Sequence, residues 1–213
     1  MTKDKKRKII LGFDGTNNGF ELDSPVYKPH KDSQFVVTGY MAFDTGANYG
    51  SARYESKKRI FNKKRNVQRA LTRGRAYIGE NPSFFYTNFQ RPPNSNLFLM
   101  KHAQAIALLT FKFFETYEIQ PPTASIIIDE INGETSSRFV GRVLGAILED
   151  ANLDIPYKFK KKADKRAPSV RKADRVGYYV AAIKFLGDSH KWPFRSRRVN
   201  MNQLETLATT WSE

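Results

Sequence analysis

Four carboxylates in this sequence stand where an apolar run ends or a helix begins. They are Asp14 in ILGFDG, Asp129 and Glu130 in SIIIDE, and Asp174 in KADRVGYYVAA, with Glu134 close behind. An acid beside an apolar run loses hydration and needs a compensating cation. Oxygen donors on two or three carboxylates suit Mg²⁺ or Mn²⁺, and two such ions about 4 Å apart can activate a water and stabilise the leaving oxygen of a phosphodiester. Each position also has a local explanation. Asp14, before Gly15 and Thr16, could form an Asx turn, and Asp129 and Glu130 could mark where a buried strand reaches solvent. Glu134 suits a helix entry through the dipole, and Asp174 could do the same or pair with Arg171 or Arg175. What singles out the set is that distant acids fit one scheme.

Charge points the same way. Thirty-six Lys and Arg against 21 Asp and Glu leave a net +15 on 213 residues. So positive a surface favours nucleic acid, whose phosphates release counterions when neutralised. The chain has no Cys, which excludes disulfides and thiolate metal sites, and only three scattered His, which argues against zinc. No segment reaches the roughly 20 consecutive apolar residues of a bilayer span. The apolar run after MTKDKKRK is too short for a signal peptide. The expected setting is therefore cytoplasmic, with no membrane partner.

The elements that must position the acids follow from periodicity. Residues 8–14 read as a strand whose unbroken apolar character suits a central, doubly covered place. QFVVTGYMAF (34–43) and SFFYTNFQ (83–90) read as two more strands. Residues 96–117 form a long apolar helix, 125–129 a short buried strand, and 135–151 a helix capped by Thr135 or Ser136. Residues 155–161 make an edge strand with Tyr157 and Phe159 on one face and lysines on the other. A last helix covers 172–185. Between the second and third strands, residues 52–73 read as a helix of unusual charge, since Arg53 to Arg75 holds ten Lys or Arg and one acid, Glu55. The expected organisation is one domain over 1–187, with this basic insertion at about 51–75, and a basic, aromatic tail over 188–213.

Several phosphate chemistries are excluded. A haloacid-dehalogenase phosphatase needs D-x-D-G-T, and Gly12 occupies the nucleophile's place. An actin-like or sugar-kinase loop needs two such domains and a longer chain. Neither a Walker G-x-x-x-x-G-K-[ST] nor a G-x-S-x-G occurs.

The order of these elements, with Asp14 on the first strand, Asp129-Glu130 closing the fourth and Asp174 at the last helix, resembles the RNase H-like nuclease superfamily. The resemblance implies an α/β fold: a mixed five-stranded sheet flanked by helices, here with a basic helical insertion after the second strand. It further implies that Asp14, Asp129 and Asp174 hold Mg²⁺ or Mn²⁺ while Glu130 assists. The fourth acid stays open between Glu130 and Glu134. Within the superfamily the chain is similar to small archaeal exonucleases that degrade single strands from the 3′ end, which implies 3′-5′ digestion of single-stranded DNA, with RNA as the second substrate. An endonuclease or junction resolvase of the same fold, favoured if the chain forms a two-fold homo-oligomer, and a nucleic-acid-binding module without chemistry are the alternatives.

Contact with the strand is expected along the insertion helix. Arg53, Lys57, Lys58 and Lys63 would track phosphates together with Lys64, Arg65 and Arg69, and Tyr49 and Tyr54 would stack on bases. Lys172 would add to this grip, with residues 160–172 and 195–198 extending the basic surface. Phe84, Phe85 and Tyr178 are expected in the core, whereas Trp192 and Trp211 suit an exposed or interface role.

Overall fold

The computed structural model describes residues 8–17, 34–44, 84–131, 133–161, 168–186 and 195–204. The helix expected at 52–73 lies outside these residues, as do Arg53, Lys57, Lys58, Lys63, Lys64, Arg65 and Arg69, Tyr49, Tyr54, Trp192 and Trp211.

The apolar run at the start of the chain becomes β1 (Lys8–Asn17), and two antiparallel neighbours follow, β2 (Gln34–Asp44) and β3 (Phe84–Gln90). On the other side of β1 lie two parallel strands, β4 (Ala124–Asp129) and β5 (Tyr157–Lys160). The result is an α/β fold with a mixed five-stranded sheet in the order β3-β2-β1-β4-β5. A central strand is covered on both faces, which is why β1 is apolar at consecutive positions.

Strand alternation divides the core into two unequal layers. Leu11, Phe13, Phe35, Val37, Phe85, Ile126 and Ile128 face one side. There they meet α1 (Ser95–Tyr117) and α2 (Glu134–Asp150). This layer is sealed by interlocking rings: Phe13 meets Phe113 edge-on at 6.4 Å, and Phe35 meets Phe98 at 4.8 Å. Phe84 and Phe85 are buried as expected. α1 starts cleanly because the Asn94 carboxamide oxygen accepts from the N–H groups of Asn96 and Leu97 at 2.9 and 3.0 Å. It ends at Glu118 in the left-handed region, φ 50°. By length and hydropathy α1 could cross a membrane, contrary to the sequence expectation, but 72% of its most apolar window is buried in this core.

The other face carries α3 (Pro168–Leu186) alone among the described helices. Val170 packs on Ile10 of β1 and Ile127 of β4, while Val176 and Val180 pack on Val36, Phe84 and Tyr86. The helix thus crosses the sheet from β4 toward β3. Its first turn lies directly on β1. A Cβ on Gly12 would fall 2.3 Å from the Ser169 carbonyl carbon and 2.5 Å from the Val170 nitrogen, so only glycine allows this approach.

Several expected boundaries shift. β1 continues to Asn17 on its β2 side, although its ladder with β4 ends at Phe13. Asp14 is therefore inside a strand and 2% exposed, rather than in a terminal turn. α2 is entered through Gly133 at φ 97°, not capped by Thr135 or Ser136. α3 begins at Pro168, four residues before the expected Lys172, because proline's fixed φ suits a first helical position. β5 starts at Tyr157 rather than residue 155, since Ile155 is turned into the core.

Residues 195–204 lie against the sheet edge. The Val199 N–H donates to the Tyr86 carbonyl at 2.9 Å, Val199 is buried, and Arg198 Nε donates to Asn88 Oδ1 at 2.9 Å. The edge of β3 is thereby partly covered.

His102 of α1 is buried against Phe35 and Phe98 in the aromatic layer, and burial lowers its pKa to about 4. The folded imidazole stays neutral where the unfolded one, with a pKa near 6.5, takes up a proton. Stability present above the unfolded pKa is therefore lost as pH falls from about 6.5 toward 4. Urea titration at pH 7 and pH 4.5 should show this as a loss of about 2–3 kcal/mol, absent in His102→Phe. In the same assay Gly12→Ala should cost about 1–3 kcal/mol, because the contact it breaks is backbone against backbone and cannot be relieved by a rotamer change.

Candidate functional site

The face under α3 carries a transverse row of polar residues. One step beyond the last β1–β4 partners, Phe13 and Ile128, come Asp14 and Asp129. Asp14 shares the face of Gly12, which meets α3, and Asp129 shares that of Ile127, which packs on Val170. The two carboxylates thus arise from adjacent strands about 5 Å apart and on one side. Across β2, Asp14 is partnered by Thr38, and Thr38 in turn by Tyr86 of β3. On the outer side Asp129 is partnered by Lys160 of β5. The row therefore reads Tyr86, Thr38, Asp14, Asp129, Lys160.

Within it, Thr38 is fully buried and its hydroxyl finds no partner among the described residues; the same is true of Ser169, which lies against Gly12. Burial raises the Tyr86 phenol above its ordinary range, partly offset by the Arg198 guanidinium. Tyr86 is thus a neutral hydroxyl at the closed end of the row.

Asp174 sits on α3 in the second turn, beyond the reach of the helix dipole, so the N-terminal dipole does not account for it. Two residues earlier on the helix, Lys172 places its ammonium 5.1 Å from the Tyr40 ring centroid, and Tyr40 is the strand partner of Gly12. Two residues turn an α-helix by about 200°, so Asp174 occupies the opposite flank of α3. Lys172 itself, expected to grip the strand, is half-buried beside the Tyr40 ring.

Glu130 and Glu134 are not brought to the row. The Glu130 N–H continues the ladder to the Lys160 carbonyl at 3.2 Å, so by alternation its side chain turns to the opposite face, where Lys161 Nζ lies 3.9 Å away. Glu134 opens α2 and pairs with Arg138 one turn on, the helix-entry role its position suggested.

Among the described residues, no three His, Cys, Asp or Glu side chains form a group that could hold a metal ion. The donor set is instead a carboxylate pair with an orphaned hydroxyl beside it. That set fits Mg²⁺, whose sites commonly use one or two carboxylates and leave the other positions to water and substrate phosphate oxygens.

Thr38 and Lys160 were not legible as site residues. Thr38 reads as an ordinary β-branched strand residue in QFVVTGYMAF, and Lys160 as part of a basic stretch. The lysine alternation of the edge strand was the available signal for Lys160, but only the pairing of β5 with β4 says which acid it meets.

No protein-family model matches the chain, and no curated protein matches it in sequence.

The acid pair makes cation binding measurable without any substrate. Adding Mn²⁺ or Mg²⁺ at millimolar concentration should raise the melting temperature by several degrees through linkage to the folded state. Asp14→Asn and Asp129→Asn should each abolish the rise.

Proposed function

We propose that this chain is a metal-dependent nuclease with an RNase H-like arrangement. The observation that carries the reading is the side-by-side position of Asp14 and Asp129 on one face of adjacent parallel strands, beneath the helix that bears Asp174. The sheet order β3-β2-β1-β4-β5, with an antiparallel first half and a parallel second half, supports it. So does the charge of +15, since a cationic exterior around an acidic centre is what a phosphodiester substrate requires.

In this reading Asp14 and Asp129 would hold Mg²⁺ or Mn²⁺, while Asp174, expected as a third ligand, does not form a three-acid group with them among the described residues. The ion supplies an activated water and stabilisation of the leaving oxygen. α3 and the Val36, Phe84 and Tyr86 cluster exclude bulk water from behind the acids, which strengthens every charge interaction in front of them. Stacking and phosphate contact from the basic segments favour single strands, and 3′-5′ exonuclease action on single-stranded DNA is the favoured mode.

A second reading, a nucleic-acid-binding module without chemistry, is favoured by one observation: the acids do not form a three-ligand group among the described residues. Incubation with end-labelled single- and double-stranded DNA and RNA, in Mg²⁺, Mn²⁺ or EDTA, separates the two. The nuclease reading expects a metal-dependent ladder from the 3′ end of single-stranded DNA. Asp14→Asn or Asp129→Asn should slow it by about 100-fold or more, at least the effect of losing an outer-shell metal partner. Binding without cleavage in every metal would leave the module, and a discrete internal cut would indicate an endonuclease. In either case affinity should fall steeply between roughly 50 and 200 mM salt.

A further inference from the structure

β5 is the outermost strand on its side of the sheet, and its two faces are chemically distinct. Tyr157 and Phe159 turn toward α2, where the Tyr157 hydroxyl donates to the Gly141 carbonyl at 2.9 Å and Phe159 joins the core. Alternation therefore turns Lys158 and Lys160 to the face of α3. Lys158 is partnered by the apolar Ile127 and is exposed, whereas Lys160 is half-buried and partnered by Asp129. Lys161 returns to the other face, toward Glu130. Of the three consecutive-strand cations, only Lys160 continues the polar row.

We propose that Lys160 anchors the phosphate being cleaved, on the β5 side of the acid pair; this rests on the nuclease reading above. A phosphodiester approaching Asp14 and Asp129 meets two negative charges. An ion held there would neutralise part of that charge, and a second cation would serve the phosphate oxygen on the β5 side. Lys160 is the cation whose strand position borders the pair, with no further strand beyond it among the described residues. Lysine acts there as a compact point charge on a flexible stem, able to turn from Asp129 to the phosphate when substrate arrives.

The competing role is purely structural, with Lys160 serving only to neutralise Asp129. The full-length wild-type chain, Asp14→Asn, Lys160→Met and Lys160→Arg separate the two. Affinity for a single-stranded DNA oligonucleotide is measured with Ca²⁺ over a salt series, single-turnover cleavage with Mg²⁺, and melting temperature for each variant. Loss of a phosphate contact should reduce the slope of log affinity against log salt by about one in Lys160→Met. Cleavage should fall by about 100-fold, the cost of removing one charge-stabilising donor, and Lys160→Arg should recover most of both. An unchanged salt slope in Lys160→Met overturns the proposal even if its rate falls, because a partner of Asp129 alone leaves the slope intact. If Lys160→Met fails to fold, Lys160→Gln takes its place with the same readings. Wild-type rates in Lys160→Met beside an inactive Asp14→Asn also overturn it while leaving the nuclease reading standing. Absence of cleavage by the wild type in every metal overturns both.

Discussion

The contact of Gly12 with the backbone of Ser169 and Val170 governs the geometry of the whole α3 face. A helix normally stands off a sheet by the length of the side chains between them. Here one turn of helix is pressed onto bare backbone, so α3 approaches β1 closely at its start. Val170, held between Ile10 and Ile127, fixes where the helix begins, and Val176 and Val180 fix its heading toward β2 and β3. With both position and direction set, the flank that carries Asp174 has only one place to be. The other face has no such constraint, and bulky rings of Phe13, Phe35, Phe98 and Phe113 fill it instead.

This asymmetry creates the electrostatic setting of the acids. The aromatic layer closes one side of the sheet to water, so Asp14, buried on the opposite side, has low-dielectric protein behind it. Asp129, on the neighbouring parallel strand, adds a second carboxylate in a half-buried position. Placing two acids there is costly without a cation, and the row around them offers hydroxyls on the β2 and β3 side and an ammonium on the β5 side. The parallel pairing of β1 with β4 matters here, because it sets Asp14 and Asp129 one step beyond the same last pair, Phe13 and Ile128.

Much of the architecture was legible in the residues. Period-two and period-3.6 patterns located every described strand and all three described helices, since each has a long enough apolar stripe to register. The errors fell at boundaries set by special backbone chemistry: glycine in place of a side-chain cap before α2, and proline opening α3 earlier than its apolar stripe does. Asp14 was misread as a strand end because GTN resembles a turn, whereas β2 supplies partners as far as Asn17.

Composition and local pattern by themselves determined the strongly cationic charge, the kinds and order of elements, and the occurrence of acids where apolar runs stop. Tertiary structure alone decided that Asp129 rather than Glu130 lies beside Asp14, that Thr38 and Lys160 extend the same row, and that Lys172 and Asp174 stand on opposite flanks of one helix. The reason is that alternation tells which residues share a face within a strand, but strand register and helix approach depend on contacts between segments far apart in the chain, and a shift of one residue would exchange every face.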